Sequence, residues 1–379
     1  MYKNLYLLME ISDREFESKL LMAFHAAHQK WRVLICQRTY FFDNINKFPK
    51  GIVIYKSVVP NDIGIVELIK NNGHVFLCID EEGILQRDEE YTMNIRYGQS
   101  CLEKMDHMFL LNERQRKLLI ENYNIGEKIS VTGYPRIEFL HILKKAIKNE
   151  IVKELNDKYG KFIFFPTSFG NSNHVMGYYG LKSSFEQAAK ILNKQQIEFF
   201  ECKVALSEFI QQQYEDLLCR MSSDFSGTNI ILRPHPSENN DYWRRKYKKF
   251  KNVVVDFRYP ASYYIKACEV VVQYGSTLAI ESNILEKPCL QFDPLLPEDL
   301  KPYNITENSQ HVISMKSIED TLNAIRLIVV QGKKYPIENE YPRCLGASEN
   351  IMAKINKYSN YNGSKKLPYI MPVSFSNQN

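Results

Sequence analysis

Ile231-Leu232-Arg233-Pro234-His235-Pro236-Ser237, followed further along by Tyr274-Gly275-Ser276-Thr277-Leu278-Ala279-Ile280-Glu281, decides how this chain reads. Each stretch is an apolar strand pattern that ends in a polar turn, and the second turn runs directly into a helical pattern. A helix start carries backbone N–H groups with no intrahelical partner, which suit an anion. Two such strand ends on one parallel sheet would make a cradle for a nucleotide phosphate.

Working outward, strand patterns fall at 4–9, 32–36, 51–55, 74–79, 107–111 and 129–132, and helical patterns between them at 15–30, 63–71, 99–105 and 113–123. A lysine-rich helical segment at 138–159 reads as a connector. A second series follows, with strands at 162–166, 229–233, 253–255, 270–273 and 288–292, and helices at 182–221, 261–267, 277–285 and 317–330. Strands that alternate with helices call for parallel sheets wrapped on both faces, with right-handed crossovers. The expected fold is α/β, with two Rossmann-like doubly wound domains and an interdomain cleft at the carboxyl ends of both sheets. The boundaries expected are 1–145 for the first domain, 146–345 for the second, and a tail at 346–379 that either hangs loose or crosses back to the first domain.

Length and composition agree. At 379 residues the chain exceeds one ordinary core, and 44% hydrophobic with 25% charged residues is an ordinary folded composition. The net charge is +5, densest at Arg244-Arg245-Lys246-Tyr247-Lys248-Lys249. That cluster reads as a solvated helix face, which can also help hold the chain on an anionic membrane surface. No nucleic-acid motif accompanies it. The eight cysteines form no Cys-x-x-Cys pair and read as buried thiols of a reducing compartment. No run of about twenty apolar residues spans a bilayer, so a cytoplasmic location, soluble or peripheral at the membrane, is expected.

Several positions carry candidate chemistry. The prolines beside His235 hold the backbone extended and fix where the imidazole points. From there it can donate to a phosphate of a leaving nucleotide, with Arg233 assisting. Ser276 and Thr277 offer hydroxyls beside the turn glycine, or else simply cap the helix. Glu281 lies one turn on, where it can accept hydrogen bonds from a ribose. The stretch Thr167-Ser168-Phe169-Gly170-Asn171-Ser172-Asn173 suits a loop around a ligand, with Thr167, Ser168 and Asn173 as candidates. In the first half, Asp80-Glu81-Glu82-Gly83 puts acids at a strand's carboxyl end, where Glu82 or Glu81 can serve as base or nucleophile. Glu10, Ser12, Asp13 and Arg14 follow the first strand and face the same side. No metal-ligand cluster and no Rossmann glycine fingerprint appear, so neither a metal nor a cofactor is expected.

Leu8-Met9-Glu10-Ile11, Asp80-Glu81-Glu82-Gly83, Val131-Thr132-Gly133-Tyr134-Pro135-Arg136, Phe169-Gly170-Asn171-Ser172-Asn173, Leu232-Arg233-Pro234-His235-Pro236-Ser237-Glu238 and Gly275-Ser276-Thr277 with Glu281, in this order, resemble the bacterial surface carbohydrate biosynthesis proteins. That group is similar to the GT-B glycosyltransferases, and within them to the retaining transferases that move Kdo from CMP-Kdo. The resemblance implies a nucleophile at Glu82, the second acid of the turn, and a phosphate ligand at His235. This chain has glutamates where those transferases have aspartates, and the extra methylene moves the carboxylate outward. The resulting expectation is a glycosyltransferase of surface-polysaccharide assembly, capsule or lipopolysaccharide O-antigen, with a nucleotide-sugar donor and a glycan or glycolipid acceptor. Three alternatives stand beside it: a sugar-nucleotide epimerase, a polyol-phosphate transferase of teichoic-acid type, and a non-catalytic scaffold.

Overall fold

The computed structural model describes residues 2–80, 93, 96–188, 194–304, 312–334, 344–358 and 362–363. The chain divides into two compact units, residues 1–141 with 342–379 and residues 142–341.

The first unit is built on β1 (Tyr2–Met9), β2 (Trp31–Gln37), β3 (Ile52–Tyr55), β4 (Val75–Ile79), β5 (His107–Leu110) and β6 (Ile129–Val131). All six are parallel, in the order β2-β1-β3-β4-β5-β6, so the order reverses at β1. The centre of β1 and all of β3 and β4 are buried, as continuous apolar runs covered on both faces must be. Tyr6, Phe41, Val53, Phe76, Leu102 and Leu119 form the core on one side.

The end of the chain completes this unit. Tyr2 and Lys3 of β1 pair antiparallel with Gly363 and Asn362, the short strand β13. Helix Ala347–Ile355 is capped by Glu138, whose carboxylate accepts the N–H groups of Gly346 and Ser348, both at 2.8 Å. Asn356 then joins Trp31 Nε1 at 3.1 Å and Gln29 at 2.7 Å. Gly133 has a positive φ of 77°, and a Cβ there would come within 2.8 Å of Cys344. The glycine of the Gly-Tyr-Pro-Arg turn is therefore demanded by this returning segment.

Helix Ser12–His28 follows the expected period, but its buried face mixes Met22 and Ala26 with polar residues. It buries Glu15, Ser18 and Lys19 and leaves Phe16, Leu20 and Phe24 at 41%, 51% and 60% exposure. The buried acid meets a local demand, because the Glu15 carboxylate accepts the N–H groups of Glu10 and Ile11, at 3.3 and 3.2 Å. That need accounts for an acid on the buried face in the first turn.

The second unit carries β7 (Phe162–Pro166), β8 (Asn229–Arg233), β9 (Val253–Val255), β10 (Val270–Gln273), β11 (Cys289–Phe292) and β12 (Ile313–Met315), in the order β12-β11-β10-β7-β8-β9. Every pairing is parallel. This is the doubly wound order of a dinucleotide-binding sheet, with its switch point between β7 and β10. Phe165, Tyr214, Leu232, Trp243 and Phe292 anchor its core.

Some expectations need correction. The connector is two helices, Pro135–Lys145 and Glu150–Tyr159, the second capped by Asn149. The long helical run is helical over Gly177–Ala188 and again over Lys194–Asp224. Strands β12 and β13 are too short, at three and two residues, to show a period. The basic cluster does form a solvated face of helix Asn240–Tyr247, and all eight cysteines are free thiols. Among the described residues no helix is long and apolar enough to cross a membrane.

Two buried histidines of the first unit set an acid limit. Burial pushes His74 down to about 4, and burial with the nearby Lys354 and Lys357 charges pushes His107 down to about 4. Their neutral forms stabilise the fold above the unfolded value of about 6.5, and that contribution is lost as pH falls from about 6.5 to 4. Urea denaturation at pH 7 and pH 4 is expected to show a drop of up to about 3 kcal/mol from each histidine. His107→Gln, which keeps a partner for Ser130, should remove its share of that drop.

Candidate functional site

Strand β7 lies between β8 and β10, so three polar turns leave adjacent strand ends: Thr167 onward after β7, Pro234-His235 after β8, and Tyr274 to Thr277 after β10. The in-register pair Pro166 and Arg233 ends two of these strands level with each other, and the Thr167 N–H donates to the Arg233 carbonyl at 3.0 Å. Ser168 Oγ donates to the Tyr274 carbonyl at 2.7 Å and ties the β7 turn to the β10 turn.

One side chain gathers the β7 and β8 turns. Glu238 is 1% exposed, and its carboxylate accepts Thr167 Oγ1 at 2.9 and 2.8 Å, the Phe169 N–H at 2.8 Å, Trp243 Nε1 at 2.7 Å and the His235 N–H at 3.4 Å. Burial raises the carboxyl above its ordinary value, and these four donors pull the other way. The loops are tied further by backbone bonds from Asn239 N to the Asn173 carbonyl at 2.9 Å and from Val175 N to the Ser237 carbonyl at 2.8 Å.

The imidazole of His235 is half-buried and oriented by the turn itself. The Ser237 N–H donates to Nδ1 at 3.2 Å, and Ser237 Oγ lies 2.8 Å from the same nitrogen. A ring nitrogen that accepts a hydrogen bond carries no proton, so the neutral ring holds its proton on Nε2. His235 is thereby set as a donor through Nε2. Gly170 is required by the same packing, because a Cβ there would stand 2.5 Å from Ser237 Oγ.

The β10 turn is held from below. Gly275 adopts a φ of 56°, the left-handed conformation that suits glycine. The Ser276 N–H donates to Gln273 Oε1 at 2.8 Å, and the Gly275 N–H donates to Gln291 Oε1 at 3.2 Å. Gln273 and Gln291 are register partners on β10 and β11, and their amides join at 3.2 Å. Ser276 Oγ accepts the Leu278 N–H at 3.3 Å, as a helix cap would. These backbone donors, which the sequence suggests for a phosphate, thus have partners inside the protein.

The remaining candidates lie as follows. Thr167 is buried against Glu238, Ser168 is half-buried, and Asn173 Nδ2 reaches the Asn239 carbonyl at 3.4 Å. Arg233 is buried, with Nε donating to the Tyr259 carbonyl at 3.3 Å. Glu281 is buried on the first turn of helix Leu278–Ile284. In the first unit, Asp80 is buried and ion-paired with Arg96, while Glu81 and Glu82 lie outside the described residues.

Sequence reasoning passed over Glu238 and the Gln273–Gln291 pair as supports. Their signal was a polar residue in or just beyond an otherwise apolar strand, where a buried polar group must find a partner. Among the described residues no group of His, Cys, Asp and Glu is arranged to hold a metal ion.

Comparison with known proteins adds an independent line. The family model for CDP-glycerol:poly(glycerophosphate) glycerophosphotransferase matches residues 80–308. No curated protein matches the chain. Among solved structures, UDP-GlcNAc 2-epimerase from Methanocaldococcus jannaschii is 12% identical with a TM-score of 0.55, over 94% of this chain and 100% of that one. The wall teichoic acid polymerase TagF, a histidine-to-asparagine variant with CDPG, is 12% identical with a TM-score of 0.55, over 94% of this chain and 88% of that one. S. aureus MnaA with UDP is 13% identical with a TM-score of 0.53, over 95% and 98%. At such identities the likeness is one of fold: two Rossmann-like domains of the GT-B kind.

Glu238→Gln keeps the shape but turns an amide N–H₂ toward donors, which leaves a buried donor without an acceptor. Chemical denaturation is expected to show a loss of about 1–3 kcal/mol. Nitrogen NMR of the imidazole should show protonated Nε2 in the parent, with that assignment blurred in the variant.

Proposed function

Because the chain belongs to the CDP-glycerol:poly(glycerophosphate) glycerophosphotransferase family, transferases of cell-wall polymer synthesis, we propose that it moves a glycerophosphate-type unit from a CDP-activated donor to a growing surface polymer. In this reading an acceptor hydroxyl oxygen bonds to the donor's distal phosphorus. The bridging P–O bond breaks, CMP leaves with the electron pair, and the hydroxyl's proton passes to solvent water. Negative charge grows on the phosphate oxygen of departing CMP, and a preset donor at that oxygen lowers the barrier. We assign this role to the Nε2–H of His235, which the Ser237 contacts to Nδ1 leave as the donating tautomer.

The hydroxyls of Ser276 and Thr277 are assigned to the phosphates from the β10 side, and Ser168 and Asn173 to the loop that borders the nucleotide. Thr167, Arg233 and Glu281 are buried, and we assign them to holding these turns. The strand ends β8 and β10 stand about 10 Å apart across β7, a span that a nucleotide diphosphate can bridge. The observation that carries the reading is the family match together with a tautomer-fixed histidine at the end of β8, one strand from the doubly wound switch point.

A second reading is favoured by the acidic turn at which the family match begins. There the donor would be a CMP-linked sugar, and Glu82 or Glu81 would act as the carboxylate nucleophile. Both readings release CMP, and they differ in whether phosphorus follows the transferred unit.

CDP-glycerol labelled on the phosphate next to glycerol separates them. The expected result is label in the polymer, with CMP release that requires acceptor. Polymer growth from a CMP-sugar without label transfer would establish the second reading. Interconversion of a UDP-sugar without acceptor would overturn both. His235→Gln should lower acceptor-dependent CMP release by about 10²–10³-fold, while CDP still raises the melting temperature.

A further inference from the structure

We propose that the ends of β1, β2 and β3 form the site for the acceptor chain, an anionic polyol phosphate, with Arg38 and Lys56 as its phosphate ligands; the identity of that chain rests on the transfer reading above. Strand order in the first unit reverses at β1, which pairs with β2 on one side and β3 on the other, all parallel. Such a reversal opens a crevice beyond the carboxyl ends of the strands, where ligands of doubly wound sheets bind. Three side chains meet there. Glu10 follows β1, Arg38 follows β2 and Lys56 follows β3.

Their geometry is that of an anion site with a resident anion. Arg38 Nη2 lies 2.6 Å from Glu10 Oε1, and Lys56 pairs with Glu10 Oε2, so each carboxylate oxygen takes one cation. Arg38 Nη1 also donates to the Tyr55 hydroxyl at 3.3 Å, which orients the guanidinium. The neighbouring acid, Glu15, is turned to the backbone N–H groups of Glu10 and Ile11 and supports the turn. The side chains of Arg38, Lys56 and Glu10 are 32%, 22% and 28% exposed, open enough to exchange partners.

A phosphodiester shares one negative charge between two oxygens on one centre, as the Glu10 carboxylate does. It can therefore take the same two cations, and guanidinium is the side chain best shaped for it. The carboxylate holds the cations in place before the polymer arrives and competes with it once it does. That competition separates an acceptor site from an ion pair that only holds the fold, because removing the acid then strengthens binding.

The test uses the full chain, CDP-glycerol and a short glycerophosphate oligomer with a free terminal hydroxyl. Arg38→Gln and Lys56→Gln are each expected to raise the KM for the oligomer by about tenfold or more, with the KM for CDP-glycerol unchanged. Glu10→Gln is expected to lower the oligomer KM. Acceptor KM values within about twofold of the parent in both cation variants, or a rise in Glu10→Gln, overturn the site. Should a cation variant fail to fold by circular dichroism, Glu10→Gln decides alone. If the parent transfers nothing from CDP-glycerol, the transfer reading fails by itself. Equilibrium dialysis of the same oligomer against parent and Glu10→Gln then still decides the site, with tighter binding by the variant expected and equal or weaker binding overturning it.

Discussion

Burying the Glu238 carboxylate is the constraint on which the candidate donor site depends. An ionised group removed from water is costly unless its oxygens are supplied with donors, so every donor around it is fixed by that need. Here the donors come from the turn after β7, the turn after β8 and helix Asn240–Tyr247. None of these loops can move far without stranding the charge. The imidazole of His235 inherits its position from this arrangement, and the placing of its proton on Nε2 from the Ser237 contacts to Nδ1. A neutral core at the same place would pack as well but would leave the His-Pro turn tied by the backbone alone.

The two polar turns of the second unit are supported in different ways. The β8 turn hangs from a charge, whereas the β10 turn rests on a pair of neutral amides, Gln273 and Gln291, linked onward to Asp293 at 2.8 Å. This difference bears on how each can meet a phosphate. The β10 turn spends several of its N–H groups on the glutamines and its own cap, so hydroxyls are what it offers. The β8 turn offers a ring N–H whose direction is set by two proline neighbours and a serine.

Much of this architecture was readable in the residues. Apolar strands such as Ile52–Tyr55 and Val75–Ile79, separated by helical periods, announce a parallel sheet, and both sheets are parallel but for β13. Positions that special backbone demands impose were also readable, as at Gly275. What the residues hid depends on partners distant in sequence. The Glu238 carboxylate meets Thr167 across 71 positions, and Glu138 meets Ser348 across 210. Locally Glu238 shows only as a polar residue just beyond an apolar strand, and nothing near Glu138 names its partner. Helix Ser12–His28 misleads for a local reason: its period is right, while Glu15 on the buried face answers to the turn that precedes it. The expectation of one helix over 138–159 failed for a simpler cause: a helical period persists in phase across a short break, here between Lys145 and Glu150.

The first unit is closed by residues from both extremities of the chain, since β13 and helix Ala347–Ile355 pack onto β1 and helix Ser12–His28. On a ribosome, β6 emerges long before helix Ala347–Ile355 exists. At about 5–20 residues per second that delay is roughly 10–40 s. The second unit, contiguous in the chain, can finish during this interval while the first waits half-covered. Nascent protein is thus most exposed to proteases and chaperones in its first unit, and a stop before helix Ala347–Ile355 would spare the second sheet and cripple the first.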